Sequence, residues 1–499
     1  MKFIRNIFLT CVIFIFLTNI FFSKEAYAIT IKEEEDLSRE FLKVVLAHYN
    51  LIKDPFIVNY VNRIGQKIVS VLPEQPYPYR FYIIKEDVYN AFATPAGHIF
   101  INSGLLGAMD SEDELAGILS HEIAHVVCRH ISQKIERSKK FGLATLAGMA
   151  AGIFLGIGGA SEAANAVTVG TMAATQSAKL AYSRKDERQA DKIGLKYLAK
   201  AGYSGMGLLT MLKKIRSKHW FTSNQIPTYM TTHPATEERI AYIDSWLESN
   251  SNPSKKKVLT NEYEFEIARA KIVALFSDET FALKKFKTDT DKHPESFMAH
   301  YGYGLILSRK GSYKDAIAHF KSALAKKVFD PNVLKELGKL YFISGRYSKA
   351  LNIFEGALSI APDDPEMMLY TGRTQTELKM FETSISTFEK LIAKNPDFNQ
   401  SYYFLGETYS KLGKTAEAHF SLGIFYKNRR DFKNAAFHLK RALRNIKNSE
   451  KKHEIEKMLK EIKNQQFPVE PSKNEKFSRL VKEGENAALA PILFIRRKR

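Results

Sequence analysis

Residues Ser111–His130 read SEDELAGILSHEIAHVVCRH and decide the fold of the first half of the chain. The stretch begins as a helix, because Ser111 followed by Glu114 is the capping-box pattern, in which each side chain satisfies a backbone N–H at the helix start. Within that helix His121 and His125 are four residues apart. Both imidazoles therefore project from one helical face, and both can reach a single metal ion.

Glu122 completes an H-E-x-x-H pattern with these two histidines. It lies about 100° round the helix from His121, beside the face that carries the ligands. A carboxylate in that place can act as a general base without itself binding the metal. A buried helix with two hydrogen-bonded histidines would give the same pattern, so the motif requires a third ligand from elsewhere in the chain.

A second strong helix is predicted over 181–201, where Gly202 ends it. It contains the carboxylate that we assign as the third ligand, Glu187. Asp191, one turn later on the same face, can accept a hydrogen bond from the far N–H of a ligating imidazole. Gly194 would allow this helix to approach the first one closely. The alternative is a surface charge cluster, because several charged residues surround Glu187.

A small sheet is predicted directly before the H-E-x-x-H helix. Residues 80–84 form a short strand candidate, and two further candidates, 91–93 and 99–101, flank the turn residues 94–97. An edge strand beside a metal site can pair with an extended substrate backbone. A purely structural hairpin fits equally well. The candidate substrate-contacting residues of this edge are Asn90, Ala91 and Phe92.

The N-terminus, residues 1–28, has the pattern of a secretory signal that is cleaved. Lys2 and Arg5 form its basic start, residues 7–22 its apolar run, and Ala26-Tyr27-Ala28 a small-residue cleavage site. An uncleaved membrane anchor is the alternative, since the apolar run is long.

Residues 141–178 carry a single charge, Glu162, and are rich in alanine and glycine. The glycines at 156–159 divide the stretch into two apolar helices, each shorter than the roughly 20 residues needed to span a bilayer. Such a pair could cover the site or contact a membrane surface. A pair of buried core helices is the other interpretation.

The second half of the chain repeats itself. Gly304, Gly338, Gly372 and Gly406 are each 34 residues apart, which is the tetratricopeptide period. Small residues at a fixed spacing let paired helices pack closely, so the pattern predicts an all-α solenoid. Gly423 falls half a period after Gly406, which predicts a final unit that is fused or offset.

Composition and spacing together predict five segments: a signal at 1–28, a metal-binding domain at 29–250, a linker at 251–260, the repeats at 261–465 and a basic tail at 466–499. Residues 256–499 hold 45 Lys and Arg against 30 Asp and Glu, so most of the net charge of +20 lies in the repeat half. A basic solenoid suits an acidic partner or an anionic membrane surface, although a lysine-rich background composition would give the same excess. Nucleic acid is disfavoured by the export signal and by the lack of a base-reading motif.

Residues 30–245 resemble the zinc peptidase family of the HtpX heat-shock proteases and CAAX prenyl proteases. The pieces that carry the resemblance are Asn90-Ala91-Phe92 with Gly97, His121-Glu122-x-x-His125, Glu187-x-x-Ala190-Asp191, and Thr232-His233-Pro234 followed by Arg239-Ile240. The resemblance implies an α+β zincin-like (gluzincin) domain with one Zn²⁺ per chain. Its ligands would be His121, His125 and Glu187, with Glu122 as general base.

The chain is most similar to the periplasmic branch of that family, whose members carry tetratricopeptide repeats. In that branch the residue matching His233 can occupy the open position of the metal and hold the enzyme latent; otherwise His233 is a helix-entry residue before Pro234. Arg239 has either a transition-state role or a packing or salt-bridge role.

The resemblance implies a periplasmic endopeptidase for quality control of outer-membrane protein assembly. Its repeats would bind unfolded or misassembled outer-membrane proteins and their assembly machinery. Two alternatives stay open: a chaperone or adaptor with a latent site, and a quality-control protease anchored in the inner membrane through 7–22 or 141–178.

Overall fold

The computed structural model describes residues 29–136, 182–221, 228–234, 236–250 and 260–466. The predictions for the signal, for 141–178, for the linker as far as residue 259 and for the tail beyond residue 466 lie outside the described residues. Among the helices of the described ranges, none combines the length and the apolar character needed to cross a membrane.

Two helices open the described chain, α1 (Ile31–His48) and α2 (Pro55–Val69). Asp54 begins α2 by accepting a hydrogen bond from the Ile57 N–H at 3.1 Å. Pro55 then supplies the first helical position, where its missing N–H costs nothing.

A three-stranded sheet follows, and it confirms the three predicted strands. The strands are β1 (Arg80–Ile84), β2 (Ala91–Thr94) and β3 (His98–Asn102). β3 is central, parallel to β1 and antiparallel to β2. A single 3-10 turn, Pro95–Gly97, joins β2 to β3. β2 is therefore an edge strand.

The H-E-x-x-H helix is α4 (Glu112–Val127), which lies between the short α3 (Ser103–Ala108) and α5 (His130–Glu136). The Ser111 Oγ accepts from the Glu114 N–H at 3.3 Å, as predicted. The reciprocal half of the predicted capping box is wrong: the Glu114 carboxylate accepts from the Asp110 N–H at 2.7 Å. Lys214 also donates to the Glu114 carboxylate, and this contact turns the carboxylate away from the Ser111 N–H.

Four more helices complete this N-terminal part, which we call the head. They are α6 (Arg184–Lys200), α7 (Met206–Phe221), α8 (Thr228–Thr232) and α9 (Thr236–Asn250). α4 is packed against α2, α6, α7 and β2, so almost every one of its residues is buried. The metal-binding motif thus lies inside the head rather than on its surface.

Helix α10 (Glu262–Phe276) joins the head to the repeats. Its Phe265 and Ile272 belong to the core of the head, whereas Ile267 and Ala270 belong to the core of the first repeats. Lys271, also on α10, is buried and lies 2.7 Å from the Asp54 carboxylate at the start of α2. The two regions therefore share one helix.

The rest of the described chain is helical, in antiparallel pairs. The helices are α11 (Glu279–Lys292), α12 (Phe297–Arg309), α13 (Tyr313–Lys326), α14 (Pro331–Ile343), α15 (Tyr347–Ile360), α16 (Pro365–Glu377), α17 (Phe381–Lys394), α18 (Gln400–Lys411), α19 (Thr415–Asn428), α20 (Phe432–Asn445) and α21 (Ser449–Gln466). Each repeat glycine faces a large side chain sixteen residues later. A Cβ added to Gly338 would lie 2.6 Å from the Phe354 ring, and the same holds for Gly304 and Phe320.

The half-period glycine Gly423 has a structural explanation. It lies on α19, which packs against both α18 and α20, and its Cα faces Leu439 as the other repeat glycines face their partners. One helix thus serves as the second helix of one repeat and the first helix of the next. The predicted fused unit is confirmed, as is the fold class of an α+β head followed by a helical solenoid.

Candidate active site

His121 and His125 lie on the buried face of α4, and both side chains are almost fully removed from solvent. Their Nε2 atoms are 3.0 Å apart. The N-terminal part of α4 is fixed by the Ser111 cap, and its middle is held by the sheet and by α6. The two imidazoles are thus presented as a preformed pair.

Glu187 reaches this pair from the first turn of α6. Its Oε2 is 3.4 Å from His121 Nε2, and its Oε1 is 3.3 Å from His125 Nε2. Gly194 makes the approach possible, because a Cβ there would lie 3.1 Å from the Ser120 carbonyl oxygen. The Ser120 hydroxyl also donates to the Gly194 carbonyl at 2.7 Å.

Asp191 lies one turn along α6 from Glu187 and is fully buried. Its Oδ1 is 2.9 Å from His121 Nδ1. In the neutral, metal-binding form of His121, that hydrogen bond places the proton on Nδ1 and directs the Nε2 lone pair at His125 and Glu187.

Arg239, on α9, closes this network from the other side. Its guanidinium donates two hydrogen bonds of 2.8 Å to the two oxygens of Asp191, and its Nη1 lies 2.6 Å from Glu187 Oε2. Of the two interpretations made from the sequence, this geometry favours the salt-bridge role. Arg239 contacts the carboxylates that surround the imidazoles.

His130 and Gln189 are site residues that the sequence reasoning missed. His125 Nδ1 is 2.8 Å from His130 Nδ1, and His130 Nε2 is 3.3 Å from Gln189 Oε1. The chain can make this contact because α4 ends at Val127 and Arg129 adopts a left-handed φ of 53°. A third histidine five residues after the motif was the available signal.

His233 follows α8 and points into the same cluster. Its Nδ1 is 3.1 Å from Glu187 Oε1 and 3.4 Å from His121 Nε2. Its Nε2 is 3.2 Å from the Ala91 carbonyl oxygen, which can only accept. The proton of His233 is therefore on Nε2, and the Nδ1 lone pair faces the other ligands.

Two tyrosines that sequence reasoning also missed hold these imidazoles by ring packing. Tyr229 stacks on His233 with centroids 4.3 Å apart, and Tyr182 stacks on His125 with centroids 3.6 Å apart. The Tyr229 N–H also donates to the Tyr89 carbonyl at 3.1 Å. The segment 229–233 is thus bonded to Tyr89 and Ala91, on the free side of β2.

Glu122 lies beside the cluster with a different environment. Neither of its carboxylate oxygens makes a hydrogen bond within the described residues, although both are buried. Its Oε1 lies 3.6 Å from His233 Nε2. Burial raises the pKa of Glu122, so the carboxylate has a higher proton affinity than an exposed glutamate.

The two motif histidines differ in the direction in which their pKa values are shifted. Burial holds the pKa of His125 well below its ordinary value. Burial and Arg239 also act to lower the pKa of His121, but Asp191 and Glu187 outweigh them and raise it to about 9. A ligating imidazole must be neutral, so cation binding at His121 is coupled to proton release.

The cluster fits one zinc ion. Ligand atoms of His121, His125, Glu187 and His233 all lie within 4.8 Å of one another, and all four side chains are buried. Nitrogen and oxygen ligands at tetrahedral positions around zinc are about 3.4 Å apart, and the neighbouring pairs here are separated by 3.0 to 3.4 Å. The nitrogen and oxygen donor set is one that zinc accepts.

The remaining sequence candidates, Asn90, Ala91 and Phe92, lie at the start of β2, and all three are buried. Phe92 packs between Phe41 and Phe100 with centroids 5.7 and 4.9 Å away, so its ring belongs to the core beneath the sheet. Ala91 is the member of this group whose backbone contacts the metal cluster, through His233.

Comparisons with known proteins agree with this geometry. The model of Peptidase family M48 matches residues 58–247, and two tetratricopeptide repeat models match residues 281–332 and 307–371. The three matches cover the head and the repeats separately.

Two curated relatives each match more than half of the chain. The chain is 30% identical over 281 residues to a beta-barrel assembly-enhancing protease of Vibrio cholerae, covering 56% of this chain and 57% of that protein. It is 25% identical over 319 residues to the Escherichia coli protein of that name, covering 63% of this chain and 62% of that one. These matches thus span about three fifths of the relatives' length.

Among solved structures, the tetratricopeptide protein YrrB, described as having an unusual peptide-binding site, is 20% identical, covers 40% of this chain and 97% of its own, and gives a TM-score of 0.31. The motif spacing, the buried His and Glu cluster and the family models agree. Residues 58–247 are a peptidase family M48 domain, a zinc-dependent metallopeptidase domain, and tetratricopeptide repeats follow it in the same chain.

Proposed function

We propose that this protein is a zinc-dependent endopeptidase of the periplasm, in which the head cleaves polypeptides that the repeats bind. One observation carries the proposal: two imidazoles and the carboxylate of Glu187 converge in a buried cluster, beside a second carboxylate, Glu122, that makes no hydrogen bond in the described residues. Three ligands and an adjacent uncommitted base are the parts that peptide hydrolysis by a gluzincin needs.

His121, His125 and Glu187 hold the metal in this proposal. A bound zinc ion supplies Lewis acidity, which lowers the pKa of water and polarises a carbonyl. Glu122 takes the proton of the attacking water and delivers it to the leaving amine. Its freedom from other hydrogen bonds leaves both carboxylate oxygens available for that transfer.

Asp191 and Arg239 are positioning residues in this mechanism. Asp191 fixes the tautomer of His121 through the 2.9 Å contact to Nδ1, and Arg239 fixes Asp191 through two parallel hydrogen bonds. The distances of Arg239 to the carboxylates support this orienting role, and not one at the transition state.

His233 is the regulatory fourth ligand of the proposal. Its Nδ1 lone pair faces the cluster, at 3.1 Å from Glu187, where a substrate or water would otherwise enter. Its Nε2–H donates a hydrogen bond to the Ala91 carbonyl. A substrate strand that pairs with β2 would need that carbonyl as an acceptor. The same side chain thus blocks the metal and the edge strand, and the enzyme is latent until the segment 229–233 moves.

The repeats supply clients, which we propose are unfolded or misassembled outer-membrane proteins and their assembly machinery. The names of the two relatives, beta-barrel assembly-enhancing protease, support this substrate class. The net charge of the repeat half, with 45 basic against 30 acidic residues, supports an acidic surface as the partner. Quality control, by degradation and by chaperone-like assistance, is the task that joins these two parts.

Residues 1–28 direct export in this proposal and are then removed. We assign 29–250 to the peptidase, 251–260 to the linker, 261–465 to the repeats and 466–499 to a basic tail. If 141–178 contacts a membrane surface, the protein stays peripheral and is released by alkaline carbonate. Retention in the membrane after that treatment would instead support the anchored alternative.

The direct test is Glu122→Gln, which keeps the size of the side chain and removes the base. Turnover of casein and of a stalled outer-membrane client should fall by about 10²- to 10⁴-fold, while zinc content and client binding stay unchanged. Glu237→Gln, an exposed glutamate on α9, is the matched control. Undiminished client maturation in Glu122→Gln would reject the endopeptidase in favour of a chaperone or adaptor.

The position of His233 in the cluster supports the second candidate function, a chaperone or adaptor with a latent site, and this latency can be tested separately. His233→Ala should raise casein turnover if the imidazole holds the site latent, with zinc content still near one per chain. Equal turnover in the variant and the wild type would reject the latch and leave the peptidase assignment intact.

A further inference from the structure

Four of the 13 histidines of the chain form two pairs in the repeats, apart from the peptidase site. His300 on α12 faces His319 on α13 with their Nδ1 atoms 2.9 Å apart. His419 on α19 faces His438 on α20, also with 2.9 Å between Nδ1 atoms. All four residues are half-buried, so part of each lies at the surface of the solenoid.

The two pairs occupy the same positions of two different repeats. In each pair the first histidine lies four residues before the repeat glycine, Gly304 or Gly423, and the second lies fifteen residues after it. The three repeats between them have no histidine at either position, and hold Leu334 with Ile353, Met368 with Thr387, and Tyr402 with Ser421. The helix packing of a repeat therefore does not require histidine there.

The geometry of the pairs matches that of metal ligands. Two nitrogens that bind one ion at about 2.0–2.1 Å are about 2.9 Å apart when they subtend a right angle, and about 3.4 Å apart in a tetrahedron. The peptidase pair, His121 and His125, has its ligand nitrogens 3.0 Å apart. The repeat pairs differ from it by a tenth of an ångström.

The surroundings of His300 prepare it to bind a cation. Its Nε2 is 2.9 Å from the Pro294 carbonyl oxygen, which can only accept, so the ring proton is on Nε2. The Nδ1 lone pair then points at His319. An imidazole that donates its far N–H to a backbone carbonyl is the arrangement that orients metal-ligating histidines.

His319 is kept neutral and lies near a negative charge. Burial and the neighbouring His300 lower its pKa, so it carries a lone pair at neutral pH. Asp315, one turn before it on α13, acts on it electrostatically. Without an ion, one Nδ1–H donates to the other ring. When an ion binds, the proton of His319 moves to Nε2 by tautomerisation and both Nδ1 lone pairs face the cation.

We propose that His300 and His319 form a second metal site, which binds a borderline transition-metal cation such as Ni²⁺, Cu²⁺ or Zn²⁺ through the two Nδ1 atoms, with water completing the coordination. Imidazole is a good ligand for these three ions. The ion joins the two helices of the first complete repeat. His419 and His438 form a weaker copy of the site, because Arg441 places a positive charge beside both rings.

The test uses the full-length, zinc-loaded protein and Ni²⁺ as the probe, titrated by calorimetry at pH 7.5. We expect Ni²⁺ uptake beyond the peptidase zinc, with its tighter component at least tenfold weaker in His300→Ala. His293→Ala removes an exposed histidine seven residues earlier that belongs to neither pair, and should titrate like the wild type. No uptake, or equal uptake in His300→Ala, would overturn the proposal.

A second measurement needs no variant and also places the ion. Histidine-directed chemical labelling of the wild-type protein, read by mass spectrometry, should show Ni²⁺ protecting His300 and His319 while His293 stays reactive. If Ni²⁺ leaves the labelling of His300 and His319 unchanged, the proposed site is overturned. This holds even where His300→Ala fails to fold. Neither result depends on whether the head has peptidase activity.

Discussion

The head and the repeats both depend on helices that approach closely at glycine, but their decisive contacts span very different distances along the chain. In the repeats, Gly338 meets Phe354 sixteen residues later. In the head, Gly194 meets Ser120, and Arg239 reaches His121 across 118 residues. Local contacts recur with a period and stabilise a scaffold, whereas distant contacts assemble a single chemical site.

The strongest test of this contrast removes one distant contact of the head. Glu187→Gln should lower the affinity for zinc by more than about 100-fold, since losing a ligand costs more than losing a residue that only orients one. Zinc per chain, measured by mass spectrometry after dialysis, should fall from near one to a small fraction. Glu237→Gln should keep its zinc.

Turnover should be lost together with the metal in Glu187→Gln, while the unfolding transition of the repeats stays in place. A Glu187→Gln protein that retains stoichiometric zinc would contradict the ligand set. A shifted unfolding transition of the repeats would contradict the independence of the site from the repeats.

Arg239→Lys tests the residues that orient the metal ligands, and we expect it to lower zinc affinity less than Glu187→Gln does. Lysine keeps the charge but cannot make two parallel hydrogen bonds to Asp191. Zinc affinity should fall about tenfold, measured by competition with a chromophoric chelator. Arg184→Lys, at an exposed ion pair with Glu238, should leave the zinc affinity unchanged. An equal loss of affinity in both variants would contradict a specific role for the hydrogen bonds between Arg239 and Asp191.

The sheet of the head gives a pH dependence of its own. Burial and Arg80 lower the pKa of His98 to about 3, whereas in the unfolded chain it stays near 6.5. Below pH 6.5 the unfolded state binds the proton and the folded state does not, so the free energy of unfolding falls by about 1.4 kcal/mol per pH unit from this group. This stability is fully present above pH 6.5 and is lost progressively towards pH 3.

Urea unfolding of the head at pH 7, 6 and 5, compared with His98→Gln, measures that slope. The wild type should lose stability more steeply than the variant as the pH falls. Parallel slopes would mean that His98 is protonated in the folded head.

The smallest effects are expected in the repeats, where two helical glycines of one repeat should respond with opposite signs. Gly338→Ala places a Cβ 2.6 Å from the Phe354 ring and should destabilise the repeats by about 1–2 kcal/mol through overpacking. Gly356→Ala meets nothing within 4 Å and should stabilise them by up to about 1 kcal/mol through helix propensity. Thermal unfolding followed by circular dichroism distinguishes the two, and shifts of the same sign would contradict the periodic packing.

The fold was predictable from the sequence wherever one local rule decided it. The 34-residue spacing of Gly304, Gly338, Gly372 and Gly406 reflects a ring that must fit against each glycine, so the solenoid could be predicted from one residue type. The three strands followed from alternation and turn residues. The prediction that the Glu114 side chain accepts from the Ser111 N–H was wrong, because Lys214, a hundred residues away, binds the Glu114 carboxylate.

Prediction of the site was uneven for a related reason. The four candidate metal ligands, His121, His125, Glu187 and His233, were found through their motifs, and the structure brings all four together. His130, Tyr182 and Tyr229 were missed, since their contacts arise from a left-handed residue at 129 and from ring stacking between separate segments. Ring stacking between separate segments leaves no spacing in the sequence, whereas His130, five residues after the motif, was a signal that could have been used.

The contacts that segment 229–233 makes with β2 have one more consequence. A free strand edge is a template on which other extended chains can add and aggregate. Here the Tyr89 and Ala91 carbonyls, which would begin such growth, are satisfied by Tyr229 and His233. If the proposed latch opens to admit a substrate, it therefore also uncovers a strand edge to which unfolded chains can add without being cut. In that proposal any release of the segment must be brief, or coupled to delivery of a chain, if the head is to avoid aggregating with unfolded neighbours.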